Sequence, residues 1–258
     1  MRLSPFALID RRAAPPAEAK ASAFLTAQPF AHRGLHGAGR SENGLAAAAA
    51  AIARGHGIEC DVRLGRDGTP IVFHDETLER MTGHAGRLEA MAMRDLAGLR
   101  LPDGGAIPTL AELLAKVAGK VPLLIELKAP DRHVAPLCLA VRRALEGYRG
   151  VAAVMSFNPE VGRWFARYAP RILRGLVVSE EGRRGLRGRL ARHLALWRSH
   201  AQFLAYDVRD LPSRFASAQA ARGLPLVFWT VRDDAALAAA RALGQPTYEE
   251  AEGWTPPA

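Results

Sequence analysis

Residues 122–156, PLLIELKAPD RHVAPLCLAV RRALEGYRGV AAVMS, decide the fold of this chain of 258 residues. Short apolar runs at Pro122–Leu127 and Ala152–Ser156 have the length of buried strands, and the alanine- and leucine-rich segment Ala135–Glu146 between them predicts a helix. Helices that follow strands one by one favour parallel βα units over an antiparallel sheet. This stretch therefore predicts two parallel strands joined by a helix.

The same alternation runs along most of the chain. Barrels of alternating strands and helices commonly need about 250 residues, which this length allows. We predict an α/β fold, a (β/α)₈ TIM barrel that forms a single domain over residues 1–258, with a small insertion after the second strand at approximately residues 75–108. The other predicted strands are Pro29–Arg33, Gly57–Val62, Pro70–Phe73, Arg174–Val178, Phe203–Asp207 and Leu226–Val231. The other predicted helices are Glu42–Arg54, Leu110–Ala118, Pro159–Tyr168, Arg189–Ser199, Ser213–Arg222 and Asp234–Leu243.

The composition indicates a soluble protein with a large core. Hydrophobic residues make up 49% of the chain, yet no stretch approaches the roughly 20 apolar residues of a membrane span. The two cysteines, Cys60 and Cys138, are too few for a disulfide framework and do not have the spacing of paired metal ligands. We therefore expect a cytoplasmic protein with reduced thiols and without stable membrane insertion.

The net charge of +9 comes mostly from arginine. The arginines are spread along the chain rather than gathered with aromatic residues, so we expect no nucleic-acid partner. The densest group of arginines lies between Arg183 and Arg192 and predicts a solvated helix face or loop. Binding of this group to a phospholipid surface is the alternative.

Charged side chains cluster on two of the predicted strands. Glu59 and Asp61 lie on one face of a strand, and Cys60 between them points to the other face. Two carboxylates about 7 Å apart on one face repel each other unless a cation lies between them. A hard divalent cation with oxygen ligands is the natural partner. Glu126 and Lys128 repeat this spacing at the end of a later strand.

Two histidines follow predicted strands as well. His32 and Arg33 close the first strand, and His74 follows Pro70–Phe73. Taken singly, paired carboxylates are often an exposed ion-pair network, and a lone histidine is often a loop or core residue. In a parallel barrel, however, the carboxyl ends of the strands meet at one mouth, where active sites are built. A buried charge cluster is too costly to be kept as packing alone, so the combined set predicts an active site.

The ordered set of motifs resembles the glycerophosphodiester phosphodiesterase family. The match runs over roughly Phe30–Lys128 and continues more loosely through Met155-Ser-Phe157 and Phe228-Trp-Thr-Val231. Gly44 departs from the family, which often has threonine after Glu-Asn. The matching motifs are His32-Arg-Gly34, Glu42-Asn43, Glu59-Cys-Asp61-Val62, Asp67-Gly68, His74-Asp75, Ile107-Pro-Thr-Leu110 and Glu126-Leu-Lys128.

The resemblance implies hydrolysis of small-molecule glycerophosphodiesters to glycerol 3-phosphate and an alcohol, with one divalent cation, Mg²⁺ or Ca²⁺. It makes His32 and His74 the general acid and base, and leaves open which is which. An imidazole with a pKa near neutrality can remove or deliver a proton on either side of phosphorus. The implied metal ligands are Glu59, Asp61 and Glu126.

The resemblance also implies residues that bind the substrate. Arg33 and Lys128 contact the phosphate or its developing charge, and Glu42 is a supporting polar residue. Trp229 closes a late strand, where it either stacks on the substrate or packs in the core. At its carboxyl end the chain has Gln245-Pro-Thr-Tyr248 in place of the family's usual strand, so the resemblance does not predict a last strand there.

Two other functions fit the same residues. A lysophospholipase D-like or phosphoinositide-cleaving enzyme would use the same barrel with an apolar substrate channel. From a different class, a catalytically silent barrel would bind phosphodiesters or anionic lipid without cleaving them. A silent relative would be free to lose its histidines and carboxylates, so their presence favours an enzyme.

Overall fold

Eight parallel strands close into a barrel in the computed structural model, which describes residues 10, 13, 15, 18–37 and 39–248. In chain order the strands are β1 Phe30–Ala31, β2 Gly57–Leu64, β3 Pro70–Val72, β4 Leu123–Leu127, β5 Ala152–Ser156, β6 Leu173–Val178, β7 Phe203–Asp207, β8 Leu226–Val231 and β9 Gln245–Tyr248. The barrel closes at β1, which pairs in parallel with β2 on one side and with β9 on the other. The predicted (β/α)₈ barrel is thereby confirmed.

Helices follow the barrel strands and cover the outside of the barrel. Several begin with a side chain that accepts hydrogen bonds from the first turn: Thr109 forms a capping box with Glu112, and Asn158 and Ser213 cap later helices. The longer helices are Leu45–Ala53, Leu110–Val117, Ala135–Leu145, Pro159–Tyr168, Leu186–Ser199, Arg214–Ala221 and Asp234–Arg241. The short ones are Ala19–Ser22, Phe24–Ala27, Glu79–Thr82 and Met93–Leu96, with 3₁₀ turns at Leu88–Ala90 and Val208–Asp210.

The interior of the barrel is a packed apolar core. Phe30 and Phe203 are fully buried there, and each lies against a glycine. A Cβ added at Gly57 would lie 2.5 Å from the ring of Phe30, and one added at Gly175 would lie 2.4 Å from the ring of Phe203. The glycines therefore leave the space that the two rings fill. Leu25, which precedes β1, packs into the same cluster.

A larger apolar layer lies between the strands and the helices. Cys60 and Cys138 both belong to it, and both are buried and free. Cys60 thus points away from the barrel interior, as the alternation of strand side chains predicts. Among the residues that the structure describes, no helix is long and apolar enough to cross a membrane.

The predicted strands differ from the observed ones at two places. The predicted strand Pro70–Phe73 corresponds to β3, which runs antiparallel to β2 and lies outside the eight-stranded barrel. The eighth barrel strand is β9, which the resemblance does not predict. Tyr248 holds β9 in place because its ring is buried in the outer layer and its hydroxyl bonds to His56.

Residues 75–108 connect β3 to the helix Leu110–Val117. They carry a small apolar cluster of their own, in which Leu78, Leu88 and Leu96 are fully buried. Ile71 of β3 joins this cluster, so the segment packs against the hairpin that β2 and β3 form. The segment therefore lies beside the carboxyl end of β2.

Candidate active site

Three acidic side chains converge at the carboxyl ends of β2 and β4. Asp61 lies directly opposite Glu126 in the parallel pairing, and Glu59 lies two residues before Asp61 on the same face. One carboxylate oxygen from each of the three lies within 4.8 Å of the others, and all three residues are buried. The structure thus brings together the three residues that the sequence analysis assigns as metal ligands.

Lys128 follows β4 and lies against this acidic cluster. Its Nζ is 2.8 Å from Asp61 Oδ1 and 2.6 Å from Glu126 Oε1. Burial opposes the charge of the ammonium group, but the two carboxylates outweigh burial and hold the pKa of Lys128 above its ordinary value. Lys128 is therefore a cation in this site at neutral pH.

A tight turn after β1 forms the opposite wall of the site. Arg33 has a left-handed backbone with a φ of 56°, and its N–H donates to Glu59 Oε2 at 3.0 Å. Gly34 continues the turn with a φ of 78°. A Cβ at Gly34 would lie 3.0 Å from Ala47, so the turn approaches the helix Leu45–Ala53 closely. The backbone of the His-Arg-Gly motif is therefore fixed from both sides.

The Arg33 guanidinium brings a second cation to the acidic cluster. Its Nε is 3.3 Å from Asp61 Oδ2, and its Nη1 donates to Glu42 Oε1 at 2.9 Å. Burial acts against the charge of Arg33, but Asp61, Glu42 and Glu59 outweigh burial and raise the pKa of the guanidinium. Asp61 is thus held between the positive charges of Arg33 and Lys128.

Asn43 holds Asp61 in place and has no role in the sequence analysis. Its Nδ2 donates to Asp61 Oδ2 at 2.9 Å, and the Asp61 N–H donates to Asn43 Oδ1 at 3.1 Å. The Asn43 N–H donates in turn to the carbonyl of Arg33 at 2.8 Å. The sequence indicates a role for Asn43 only through its place after Glu42 in a matched motif. The contact between Asn43 and β2 joins residues that are distant in the chain, so it forms only when the chain folds.

The three carboxylates differ in their affinity for a proton. Burial raises the pKa of Glu59 well above its ordinary value, and the charges of Asp61 and Glu126 add to this shift. Burial also raises the pKa of Glu126, although Lys128 opposes the shift. For Asp61, the charges of Lys128 and Arg33 outweigh burial and lower the pKa. The positive charges of Lys128 and Arg33 therefore do not fully offset the burial and the mutual repulsion of the three carboxylates.

The two histidines lie at the same mouth. His32 Nε2 is 4.0 Å from Glu59 Oε2, and His74 Nδ1 is 2.7 Å from Asp75 Oδ1. Burial lowers the pKa of His74 below its ordinary value. With Nδ1 of His74 occupied by Asp75, Nε2 is the nitrogen that is left for a substrate.

A cavity of about 190 Å³ lies between these groups. Trp229 lines this cavity and also packs against the apolar core inside the barrel, so it lies both where it could contact a substrate and where it contributes to the core. Its Nε1 donates to the carbonyl of Ala205 at 3.1 Å, and its ring meets Phe157 edge to face with centroids 5.6 Å apart. The cavity is lined by His32, Arg33, Glu59, His74, Glu126, Lys128, Met155, Phe157, Ala205, Trp229 and Thr247.

Glu42 lies behind the cavity rather than in its lining. Its Oε1 accepts from Arg33 and also from Arg80 Nη2, the latter at 2.6 Å. Arg80 Nε in turn lies 2.5 Å from Asp75 Oδ2. A chain of ion pairs therefore links His74, Asp75, Arg80, Glu42 and Arg33. Arg80 lies 38 positions from Glu42 in the chain, so the sequence motifs give no sign of this contact.

The acidic cluster fits a hard divalent cation. Carboxylate oxygens are the ligands that Mg²⁺ and Ca²⁺ prefer, and Cys60 lies on the opposite face of β2, away from the cluster. The raised pKa of Glu59 shows that the cluster favours additional positive charge. A cation held by Glu59, Asp61 and Glu126 would relieve the repulsion among them.

Relatives of this chain are found by comparison of sequences. Residues 32–245 match the model of the glycerophosphoryl diester phosphodiesterase family. A "Probable glycerophosphodiester phosphodiesterase 1" of Mycobacterium tuberculosis is 36% identical over 131 residues, which cover 44% of this chain and 47% of that protein. A glycerophosphodiester phosphodiesterase of Caldanaerobacter subterraneus is 32% identical over 159 residues, which cover 57% and 65%. The matched part of the chain thus spans less than two thirds of the length of these relatives.

Solved structures share the barrel. A phosphodiesterase of Oleispira antarctica, in complex with the product sn-glycerol-3-phosphate, has a TM-score of 0.76 at 24% identity, over 89% of this chain and 94% of that chain. A glycerophosphodiester phosphodiesterase of Agrobacterium tumefaciens has a TM-score of 0.63 at 26% identity, over 86% and 95%. The similarity in fold therefore extends over most of the chain.

Proposed function

This chain belongs to the glycerophosphoryl diester phosphodiesterase family, and we propose that it hydrolyses glycerophosphodiesters to glycerol 3-phosphate and an alcohol. The observation that carries this proposal is that two histidines, an arginine, a lysine and two carboxylates of the acidic cluster, Glu59 and Glu126, line one cavity of about 190 Å³. The product in the Oleispira antarctica structure, sn-glycerol-3-phosphate, supports a small-molecule substrate of this class.

In this proposal Arg33 and Lys128 bind the phosphodiester group. Both side chains line the cavity, and both are cationic and largely buried. Charges in a water-poor site attract phosphoryl oxygens more strongly than charges in bulk water do. Their ion pairs with Asp61 fix both cations before substrate arrives, so little reorganisation is needed when charge develops on the phosphoryl oxygens.

We assign the proton transfers to His32 and His74. The base removes a proton from the attacking oxygen, which belongs to water or to the substrate's neighbouring hydroxyl. The acid gives a proton to the alcohol oxygen as its bond to phosphorus breaks. Asp75 orients His74 through Nδ1, and burial favours the neutral imidazole, so His74 is suited to act as the base.

Glu59, Asp61 and Glu126 would hold the divalent cation, for which we propose Mg²⁺ or Ca²⁺. When bound, the cation offsets charge on the phosphoryl oxygens. Asn43 and Lys128 fix the carboxylate of Asp61, and the Arg33 N–H fixes that of Glu59. These contacts orient the ligands in the way that outer partners orient the ligands of metal sites.

A substrate panel tests the proposed reaction. Glycerophosphocholine, glycerophosphoethanolamine, glycerophosphoglycerol and lysophospholipids are each incubated with the chain in Mg²⁺, in Ca²⁺ and in excess chelator. We expect glycerol 3-phosphate to be released from glycerophosphodiesters in the presence of a cation. Turnover of lysophospholipids alone would instead indicate a lysophospholipase D-like enzyme. Binding of the diesters without any turnover would indicate the silent barrel.

We further propose that residues 1–258 act as one cytoplasmic domain with an insertion at residues 75–108. The free, buried state of Cys60 and Cys138 supports a reducing compartment. The separate apolar cluster of residues 75–108 supports their treatment as an insertion on the rim of the barrel.

A further inference from the structure

A second and larger cavity opens beside the catalytic one. It has a volume of about 880 Å³, compared with about 190 Å³ for the cavity that holds the histidines. Phe157 and Trp229 line both cavities, so their edge-to-face pair forms the ridge between them. We call the larger cavity the outer groove. A diester bound at Arg33 and Lys128 therefore has one confined side and one open side.

Five arginines and three carboxylates line the outer groove, and two of these arginines pair with Glu180 and Asp207, which are not in the lining. Three of its arginines are neutralised: Arg192 lies 2.8 Å from Glu180, Arg209 lies 2.7 Å from Asp207, and Arg198 pairs with Glu160. The arginines in the walls are Arg132, Arg183, Arg192, Arg198 and Arg209. The carboxylates in the walls are Asp131, Glu160 and Glu181.

Two of these arginines, Arg132 and Arg183, have exposed side chains and form no ion pair with any described residue. The backbone at Arg183 is fixed by two hydrogen bonds. The carbonyl of Arg183 accepts from Arg192 Nη1 at 2.9 Å, and its N–H donates to the backbone carbonyl of Glu180 at 2.8 Å. The loop that carries Arg132 is held by Asn158, whose Nδ2 donates to the carbonyl before it at 2.6 Å. Both guanidinium groups are thus available to a ligand from anchored positions.

The helix Leu186–Ser199 adds to the positive potential of this wall. It begins three residues after Arg183, has no acidic residue in its first turn, and receives no side-chain cap from Gly185. The free N–H groups and the dipole of a helix start favour negative charge nearby. The electrostatics of the helix and of the unpaired arginines therefore act in the same direction.

From these observations we propose that the outer groove receives the leaving alcohol of the substrate and that Arg132 and Arg183 make the enzyme prefer anionic leaving alcohols, such as phosphorylated polyols. The proposal rests on the proposed function, because it places the glycerol phosphate half of the diester in the small cavity. The size of the groove suits a leaving group larger than glycerol, and its unpaired cations suit a second phosphate. A cationic leaving group such as choline fits the groove less well, because two of the three carboxylates in its walls already pair with arginines.

Two substrates that differ only in one phosphate test the preference. Glycerophosphoinositol has a neutral leaving alcohol, and glycerophosphoinositol 4-phosphate has an anionic one of the same ring. We expect kcat/KM to be higher for the anionic substrate by about three- to tenfold at low salt, which is the range of one or two partly exposed charge contacts. The ratio should shrink as ionic strength rises, because such contacts are screened.

Three single variants locate the effect. Arg132→Glu and Arg183→Glu should each bring the ratio of the two kcat/KM values to one or below. Arg149→Glu serves as the matched control, because this exposed arginine precedes β5 at the opposite end of the barrel and the variant makes the same change of charge. The control should keep the wild-type ratio. An equal ratio for both substrates in the wild type, or an equal change of the ratio in the control, would overturn the proposal.

Calorimetric titration of the two diesters onto the His32→Ala variant separates this proposal from the proposed function. Tighter binding of the anionic diester, lost in the His32→Ala, Arg183→Glu double variant, supports the anion-selective groove even if the wild-type chain releases no glycerol 3-phosphate. That result would reject the proposed hydrolysis and would support selective binding of anionic groups in the outer groove. Equal affinities for the two diesters, together with normal turnover, would reject the groove and leave the hydrolytic function intact.

Discussion

At the level of single residues, we propose that His32 and His74 divide the proton transfers at the mouth of the barrel, and alanine variants of the two histidines test this division. Each variant should lower kcat on a natural glycerophosphodiester by roughly 10²–10⁴-fold, the usual range for a positioned acid or base. A nitrophenyl ester, whose leaving group needs no proton, should rescue the variant that lacks the acid and not the one that lacks the base. Near wild-type turnover in both variants on the natural substrate would exclude the histidine pair.

In the proposed reaction Asp75 acts through His74, whose Nδ1 it contacts, and the Asp75→Ala variant tests this positioning role. Activity should fall on the order of 10–100-fold, the range for partners that orient a functional side chain. The hydrogen bond that His74 donates to Asp75 raises the pKa of His74, so its loss should move the pKa of His74 further below its ordinary value. The limb of the pH–rate profile that His74 controls should therefore shift to lower pH.

The same pH profile identifies the role of His74. If His74 is the base, the acidic limb moves, because the neutral imidazole then persists to lower pH. If His74 is the acid, the alkaline limb moves. Asp95→Ala, which removes a carboxylate from the same segment of residues 75–108, is the control and should leave both limbs in place. A profile that is unchanged in Asp75→Ala would contradict the orienting role.

The candidate site was predictable from the sequence where it depends on local geometry. Glu59 and Asp61 share a strand face because side chains alternate along a strand, and this rule needs no tertiary information. The contact between Arg80 and Glu42 depends on how residues 75–108 fold over the mouth, and Asn43 reaches Asp61 only after its turn has formed. Such contacts between distant residues leave no periodic pattern in the sequence.

At the scale of elements, β9 closes the barrel and supports the site, because the carbonyl of Tyr248 accepts from the His32 N–H at 2.8 Å. Tyr248→Ala removes a fully buried ring and should lower the free energy of unfolding by about 3–5 kcal/mol. Urea denaturation measures the loss. Tyr168→Ala is the matched control, because its ring is 53% exposed, and should cost less than about 1 kcal/mol. Equal losses in the two variants would contradict this role of β9.

The strand β9 could not be predicted because its own residues do not favour a strand. Gln245–Tyr248 is only four residues long and contains a proline, and it becomes a strand by pairing with both β1 and β8. Conversely, β3 has the apolar composition of a barrel strand, but a short turn after β2 returns it as an antiparallel partner. Local composition predicts that a strand exists more readily than it predicts which neighbour the strand pairs with.

At the scale of the whole molecule, the layer between strands and helices encloses both thiols. Burial raises the pKa of Cys138 to about 12 and that of Cys60 well above its ordinary value. Iodoacetamide at pH 8 should therefore label neither cysteine in the folded protein and should leave activity unchanged, since the thiolate is the reactive form. Mass spectrometry should show both labelled after unfolding in urea. Rapid labelling of Cys60 in the folded protein would contradict the observed orientation of β2.

We propose that the mouth of this barrel hydrolyses a glycerophosphodiester with the help of a divalent cation. The most direct measurement is the release of glycerol 3-phosphate from glycerophosphocholine by one protein preparation before chelation, after chelation with the metal content verified as negligible, and after return of Mg²⁺ or Ca²⁺. We expect turnover to disappear on chelation and to return with the cation, because Glu59, Asp61 and Glu126 form a cluster that favours added positive charge. Full turnover in the metal-free preparation would contradict a cation-dependent reaction.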